Sequence, residues 1–244
     1  MVNKAALSNT LRVSGDLEFA TLQGEGDSIG KPAVFLRLQM CNLKCKWCDT
    51  KYSWDQSTDE YWNGFQDWTY KKAANRVEMS WQDCFHTSPN KRLVITGGEP
   101  LLQQKGIEEL VKLLPEYIVE IETNGTVAPN LNLSRKCQFN ISPKLESSNN
   151  PLELRYKPEI LKEFNKLKQS WFKFVVVSLE DFKEIDKIVY ECDLRQNKII
   201  IMPEGVTNEE VTKKLRIIHK EVCSRGWRLL PRFHLQLFGA KRRT

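Results

Sequence analysis

AVFLRLQMCNLKCKWCDT, residues 33–50, carries a strand and then a thiol-rich loop in one short stretch. In an extended chain, side chains alternate between two faces. Val34, Leu36 and Leu38 therefore share one face, and Phe35, Arg37 and Gln39 share the other. Arg37 points away from the aliphatic row, and on an inner face a guanidinium needs an anion, for which a planar carboxylate is the best bidentate partner. An internal pair with Glu25 or Glu99 is the alternative. Cys41, Cys45 and Cys48 follow at spacings of four and three, in a loop at the strand's carboxyl end. A zinc site takes a fourth Cys or His at matching spacing, and His86, His219 and His234 are distant and unpaired. A dithiol redox pair uses two cysteines. A 4Fe–4S cluster takes four ligands, so three cysteines leave one iron open for another group.

Outward from this stretch, the chain reads as parallel α/β. Short apolar runs predict strands over Ala33–Gln39, Arg92–Thr96, Tyr117–Thr123, Cys137–Ser142, Trp171–Ser178 and Lys198–Met202. Amphipathic stretches over Gly106–Leu114, Pro158–Gln169, Leu179–Glu191 and Thr207–Ser224 predict covering helices. Arg228–Phe238 reads as a closing strand. Residues 51–90 break the alternation: they are polar but rich in aromatics, from Tyr52 and Trp54 to Trp81 and Phe85. They read as an insert, either an irregular flap pinned by its rings or a lid or partner surface. No Pro-, Gly- or Ser-rich linker divides the chain, so residues 1–244 are expected to form one domain.

Composition sets limits. The 244 residues are 41% hydrophobic, 10% aromatic and 28% charged, which excludes a disordered chain. No run approaches the ~18 uninterrupted apolar residues of a membrane-spanning helix. Lys and Arg total 37 against 31 Asp and Glu, and the resulting +6 suits a small anionic substrate without selecting one. The basic tail of Lys241, Arg242 and Arg243 reads as solvated. Met1–Thr10 has no apolar segment of the secretory kind, so the expected location is the cytoplasm. Seven cysteines, an odd number, argue against a disulfide framework. Cys84, Cys137, Cys192 and Cys223 are scattered singly and read as small hydrophobes.

The segments FATLQGEG (19–26), GKPAVFLR (30–37) and CNLKCKWCDT (41–50) are followed in order by TGGEP (96–100), ETNGT (122–126), SPK (142–144) and MPEG (202–205). Together they resemble the signature of the 7-carboxy-7-deazaguanine synthase family of radical S-adenosylmethionine (SAM) enzymes, over roughly residues 18–240. The resemblance implies an incomplete TIM-like barrel of about six parallel strands with covering helices. It implies conversion of 6-carboxy-5,6,7,8-tetrahydropterin to 7-carboxy-7-deazaguanine with loss of ammonia. It also implies a 4Fe–4S cluster on Cys41, Cys45 and Cys48, SAM on the open iron, and Mg²⁺ on Thr50. Substrate contacts are expected from Leu22, Gln23, Gly24, Glu25, Arg37 and Thr96. Cofactor contacts are expected from Trp47, Asp49, Gly98, Glu122, Ser142, Pro143, Lys144, Met202, Pro203 and Glu204. The implied partners are the pterin, an external electron donor of flavodoxin or ferredoxin type and a second copy of the chain, with no membrane and no direct nucleic acid.

The residues themselves agree with several of these roles. Gln23 and Glu25 offer amide and carboxylate groups suited to a pterin ring edge. Glycines such as Gly98 let backbone approach a ligand closely. In Tyr117–Gly125, Glu120 and Glu122 share a face, and two inward glutamates are costly unless something pairs with them; a ribose diol is a natural partner for Glu122. Two rivals are a radical SAM activase acting on a partner protein, which leaves Gln23–Gly26 and Arg37 unexplained, and a non-enzymatic metal-binding interaction module.

Overall fold

Among the described residues seven of nine strands run parallel, because a helix-bearing connection returns across the sheet before each next parallel strand begins. The structure, a computed structural model, describes residues 9–86 and 88–241, without the side chains of Asp16 and Leu17. Two strands open it, β1 (Thr10–Leu22) and β2 (Pro32–Leu38). A helix α1 (Asp59–Asn63), a strand β3 (Gln66–Thr69) and a long helix α2 (Tyr70–Phe85) lead to β4 (Arg92–Gly97). The alternation continues through α3 (Gln104–Leu113), β5 (Ile118–Thr123), α4 (Leu131–Lys136) and β6 (Gln138–Ile141). It then runs through α5 (Leu152–Arg155), α6 (Pro158–Lys166), β7 (Ser170–Val176), α7 (Asp181–Glu191) and β8 (Ile199–Pro203). The last elements are α8 (Asn208–Ser224), β9 (Arg228–Leu229) and α9 (Phe233–Phe238). The sheet order is β3-β1-β2-β4-β5-β6-β7-β8-β9, with β3 and β9 as open edges and β1 antiparallel to both neighbours.

Alternation along the parallel strands sorts the side chains. Val34, Leu36 and Leu38 on β2, Leu93 and Ile95 on β4, and Phe172, Phe174 and Val176 on β7 are buried in the hydrophobic core beneath the helices. Each such side chain contributes about 1.5–3 kcal/mol on burial. The other face carries Arg37, Glu122 and Lys173, which line a cavity together with residues of β1, β4 and β8. One face meeting one cavity means that the sheet curves around it as an incomplete barrel. Within β1 the pairing register shifts between Val13 and Glu18. Leu11 and Val13 are therefore core residues, while Phe19 beyond the irregularity lines the cavity and stacks on Phe35, ring centroids 5.1 Å apart.

Two expectations are corrected. Residues 51–90 are not an irregular flap: they supply edge strand β3 and helix α2, the crossover between β2 and β4. Ala73, Ala74, Val77 and Trp81 form the buried face of α2, and Arg76 pairs with Glu18 of β1. Thr69 starts the helix by accepting the Lys72 N–H at 3.2 Å. Nor is Arg228–Phe238 one strand. Leu230 N–H still donates to Ile201 O, but Pro231 lacks a donor to extend the ladder, and the chain turns into α9.

If α2 is part of the core, Trp81→Ala should cost about 3–5 kcal/mol of global stability. The urea midpoint read by far-ultraviolet circular dichroism checks this; a docked flap would leave the midpoint in place.

Candidate active site

The loop after β2 is shaped by backbone contacts before any ligand is considered. Met40 adopts φ 79°, and its carbonyl accepts the Glu99 N–H at 2.8 Å. Lys44 N–H donates to Asn150 Oδ1 and Lys46 N–H to Ser148 O. Asn42 bonds Thr126 and Asn124, which ties the loop to the turn after β5. The glycine pair after β4 has its reason here. A Cβ on Gly98 would lie 2.1 Å from Met40 O, and one on Gly97, at φ 140°, would lie 2.0 Å from Leu38 O. The close approach these glycines permit is to the thiol loop's own backbone.

Each of the three thiols receives an N–H. Leu43 N donates to Cys41 Sγ at 3.4 Å, Asn150 Nδ2 to Cys45 Sγ at 3.3 Å and Trp54 Nε1 to Cys48 Sγ at 3.2 Å. Such bonds to sulfur set the charge balance and potential of an iron–sulfur cluster. Burial pushes the Cys41 thiol up to about 12 and raises Cys45 as well, so bare thiolates are disfavoured and a bound metal would supply the missing charge. Among the described residues no three His, Cys, Asp or Glu side chains gather around one ion. A 4Fe–4S cluster held by three thiolates with one iron open takes the donor set that this loop offers.

A cavity of about 370 Å³ opens beside this loop, at the carboxyl ends of the parallel strands. The three cysteines and Trp47, Asp49 and Thr50 line it, as do Leu22, Gln23, Gly24, Glu25, Arg37 and Thr96. Gly98, Glu122, Ser142, Lys144, Met202 and Glu204 complete the expected set; Pro143 and Pro203 do not line it. Lys144 Nζ donates to the carbonyl and hydroxyl of Ser142 at 2.9 and 2.8 Å and lies over the Trp47 ring. Glu99 spends its carboxylate on Leu101 N, Asn124 N and Thr123 Oγ1, binding strand ends together.

The inward glutamates have protein partners that the motifs did not reveal. Glu120 pairs with Arg92. Lys173 Nζ lies 3.1 Å from Glu122 and 2.6 Å from Glu25, and Arg232 Nε lies 3.1 Å from Glu25 and its Nη2 2.7 Å from Asp49. Burial alone would raise the Glu25 acid, but Lys173 and Arg232 outweigh it and hold the carboxyl well below its usual range. Burial pushes the His234 imidazole down, towards its neutral form. Lys173 stands alone among apolar neighbours in SWFKFVVV, residues 170–177, and a lysine in an inner strand is itself a signal. Arg232, His234 and the segment Gly239–Lys241 also line the cavity, so Lys241 belongs to the site's rim; Arg242 and Arg243 lie outside the described residues.

Cys84, Cys137, Cys192 and Cys223 do not line the cavity. Replacing any of these four by Ala should leave the brown chromophore of the reconstituted protein intact, whereas Cys41→Ala, Cys45→Ala or Cys48→Ala should abolish SAM cleavage. Iron, sulfide and 5′-deoxyadenosine measured on all seven variants check this.

Comparison with known proteins agrees with this geometry. A family model described as a 4Fe-4S single cluster domain matches residues 22–158. The crystal structure of QueE from Escherichia coli shares the fold, with a TM-score of 0.70 at 23% identity over 96% of this chain and all of that one. A 7-carboxy-7-deazaguanine synthase from Pyrobaculum aerophilum is 35% identical over 97% of this chain and 99% of its own length. One from Rhodopirellula baltica is 31% identical over 93% and 86%. On this identity and coverage, the chain belongs to the 7-carboxy-7-deazaguanine synthase family, built on the 4Fe-4S single cluster domain.

Proposed function

We propose that the chain is a radical SAM enzyme that converts 6-carboxy-5,6,7,8-tetrahydropterin to 7-carboxy-7-deazaguanine with loss of ammonia. The observation that carries this reading is one cavity that holds three thiols, Arg37 and the Gln23–Glu25 loop together. When bound, the cluster and SAM supply a 5′-deoxyadenosyl radical, which takes a hydrogen atom from the pterin.

The protein's part is to hold and orient. Arg37 takes the substrate carboxylate through its planar fork. Gln23 and Glu25 face the pterin edge; Leu22, Gly24 and Thr96 flank it. Cys41, Cys45 and Cys48 hold the cluster, and Gly98, Ser142 and Lys144 bind the amino-acid end of SAM beside it. Glu122 takes the ribose, and Met202 and Glu204 meet the adenine. Trp47 and Asp49 close the same side, while Pro143 and Pro203 shape the turns that present these contacts. Thr50 gives Mg²⁺ one hydroxyl oxygen, with substrate and water supplying others, as that ion prefers.

The reading includes an external one-electron donor of flavodoxin or ferredoxin type, as the family resemblance implies. It also includes a homodimer working in the cytoplasm. Among the described residues no helix is long and apolar enough to cross a membrane.

Purified, anaerobically reconstituted protein should turn over the carboxypterin without any partner protein to activate; a strict requirement for one would overturn the reading in favour of an activase. Arg37→Ala should raise the substrate dissociation constant by ~30- to 5,000-fold, the equivalent of losing a charged pair of about 2–5 kcal/mol. Arg37→Lys should weaken binding less, with cluster content unchanged. Melting temperature and carboxypterin affinity measured on the same samples separate a substrate contact from a structural one.

A further inference from the structure

Lys173 is absent from every motif, yet it sits where the two halves of the cavity meet. It projects from the middle of β7, its side chain only 7% exposed, with its ammonium between Glu122 of β5 and Glu25 of the loop after β1. On the reading above, Glu122 belongs to the cofactor side and Glu25 to the substrate side. We propose that Lys173 is a positioning residue, which anchors the Glu122 carboxylate for the ribose hydroxyls of the nucleoside and ties it through Glu25 and Arg232 to the cluster loop.

Four carboxylates and three cations form the run of ion pairs here. Arg92 is on Glu120, Arg232 is on Glu25 and Asp49, and Lys173 is on Glu122 and Glu25. His234, the further titratable group on this side, is pushed towards neutrality by burial. Besides Lys173, among the described residues Glu122 receives only the neutral amides of Gln23 at 3.2 Å and Asn140 at 3.0 Å, both on Oε1. Oε2, which takes the ammonium, keeps lone-pair capacity for a ribose hydroxyl. Burial would lower the Lys173 ammonium, but Glu122 and Glu25 outweigh it and hold it above its ordinary range, so it stays charged through neutral pH.

Without Lys173, Arg232 stays with Glu25 and Arg92 with Glu120, and the Glu122 carboxylate keeps only the neutral amides of Gln23 and Asn140 on Oε1. Nothing then fixes Oε2 for the ribose hydroxyls. The pterin side, still held by Arg37 and by Glu25 with Arg232, is spared. The effect should therefore divide between the two ligands, where a general structural role would harm both.

This inference rests on the proposed function for the identity of the ligands, so the test includes a probe that needs neither cluster nor turnover. 5′-Methylthioadenosine carries the adenine and ribose of SAM without its amino-acid end. For the cluster-free full chain, Lys173→Met should weaken its binding about tenfold or more at neutral pH. In the reconstituted enzyme the KM for SAM should rise as well, with the KM for carboxypterin within about twofold of wild type. Lys173→Arg should recover most of the nucleoside affinity. Should Lys173→Met fail to fold, Lys173→Gln takes its place in each measurement. Equal losses for both ligands, a loss confined to the pterin, or wild-type nucleoside affinity would each overturn the proposal. A wild type that binds the nucleoside but does not convert the pterin would overturn the functional reading instead.

Discussion

Burying charge in a barrel obliges the protein to bury the opposite charge beside it, and the rest of this site follows from that constraint. Parity along the parallel strands gives the helices an apolar face and leaves the inner face free for chemistry. An inner face that binds anionic, hydrogen-bonding ligands must carry ions. Removing one partner of a buried pair costs about 3–5 kcal/mol, so the ions persist only as matched sets. Glu120 with Arg92, and Glu122, Glu25 and Asp49 with Lys173 and Arg232, form such a set across six separate parts of the chain. Above the usual carboxylate range the ionised Glu25 contributes its full stabilisation; that contribution disappears as the pH falls through the carboxyl's depressed value.

The thiol loop obeys a matching rule for the backbone. Its polar groups are met by Ser53, Ser148 and Asn150 and by the turn after β4, so the loop is formed by the chain itself. Gly97 and Gly98 are small because this loop's backbone passes against them. The same turn directs Glu99 into the strand ends. Conformational entropy of the loop is thus largely spent on folding, which lowers the cost of ordering it when ligands bind.

Much of this was legible in the sequence because the inner strands are apolar runs. β2 and β4 to β8 lie within a residue or two of their predicted bounds, and α6, α7 and α8 begin close to where the periodicity placed them. The strand β1 carried a period-two signal in Leu11 and Val13, but the register shift before Glu18 interrupts it. Helix α2 was obscured because a polar face and bulky rings, Trp81 and Phe85 among them, mimic an irregular insert. At the site, motifs pointed to the three cysteines, Arg37 and Glu122, all of which line one cavity. They did not point to Lys173 or Arg232, which lie outside every motif and serve by neutralising residues inside them. Reasoning from Glu122 reached the right question, what compensates an inward carboxylate, and supplied a ligand where the fold supplies a lysine as well.

The central claim is that this cavity holds a pterin where a SAM-derived radical can take its hydrogen. The most direct measurement gives the reconstituted protein SAM, a one-electron reductant and carboxypterin deuterated at the ring carbon that bears the carboxylate. That carbon also carries an amine nitrogen, and the two substituents together stabilise a radical there. The account expects deuterium at the 5′ carbon of the recovered nucleoside, as SAM or 5′-deoxyadenosine, with 7-carboxy-7-deazaguanine as the product. Unlabelled nucleoside alongside unchanged pterin would contradict it.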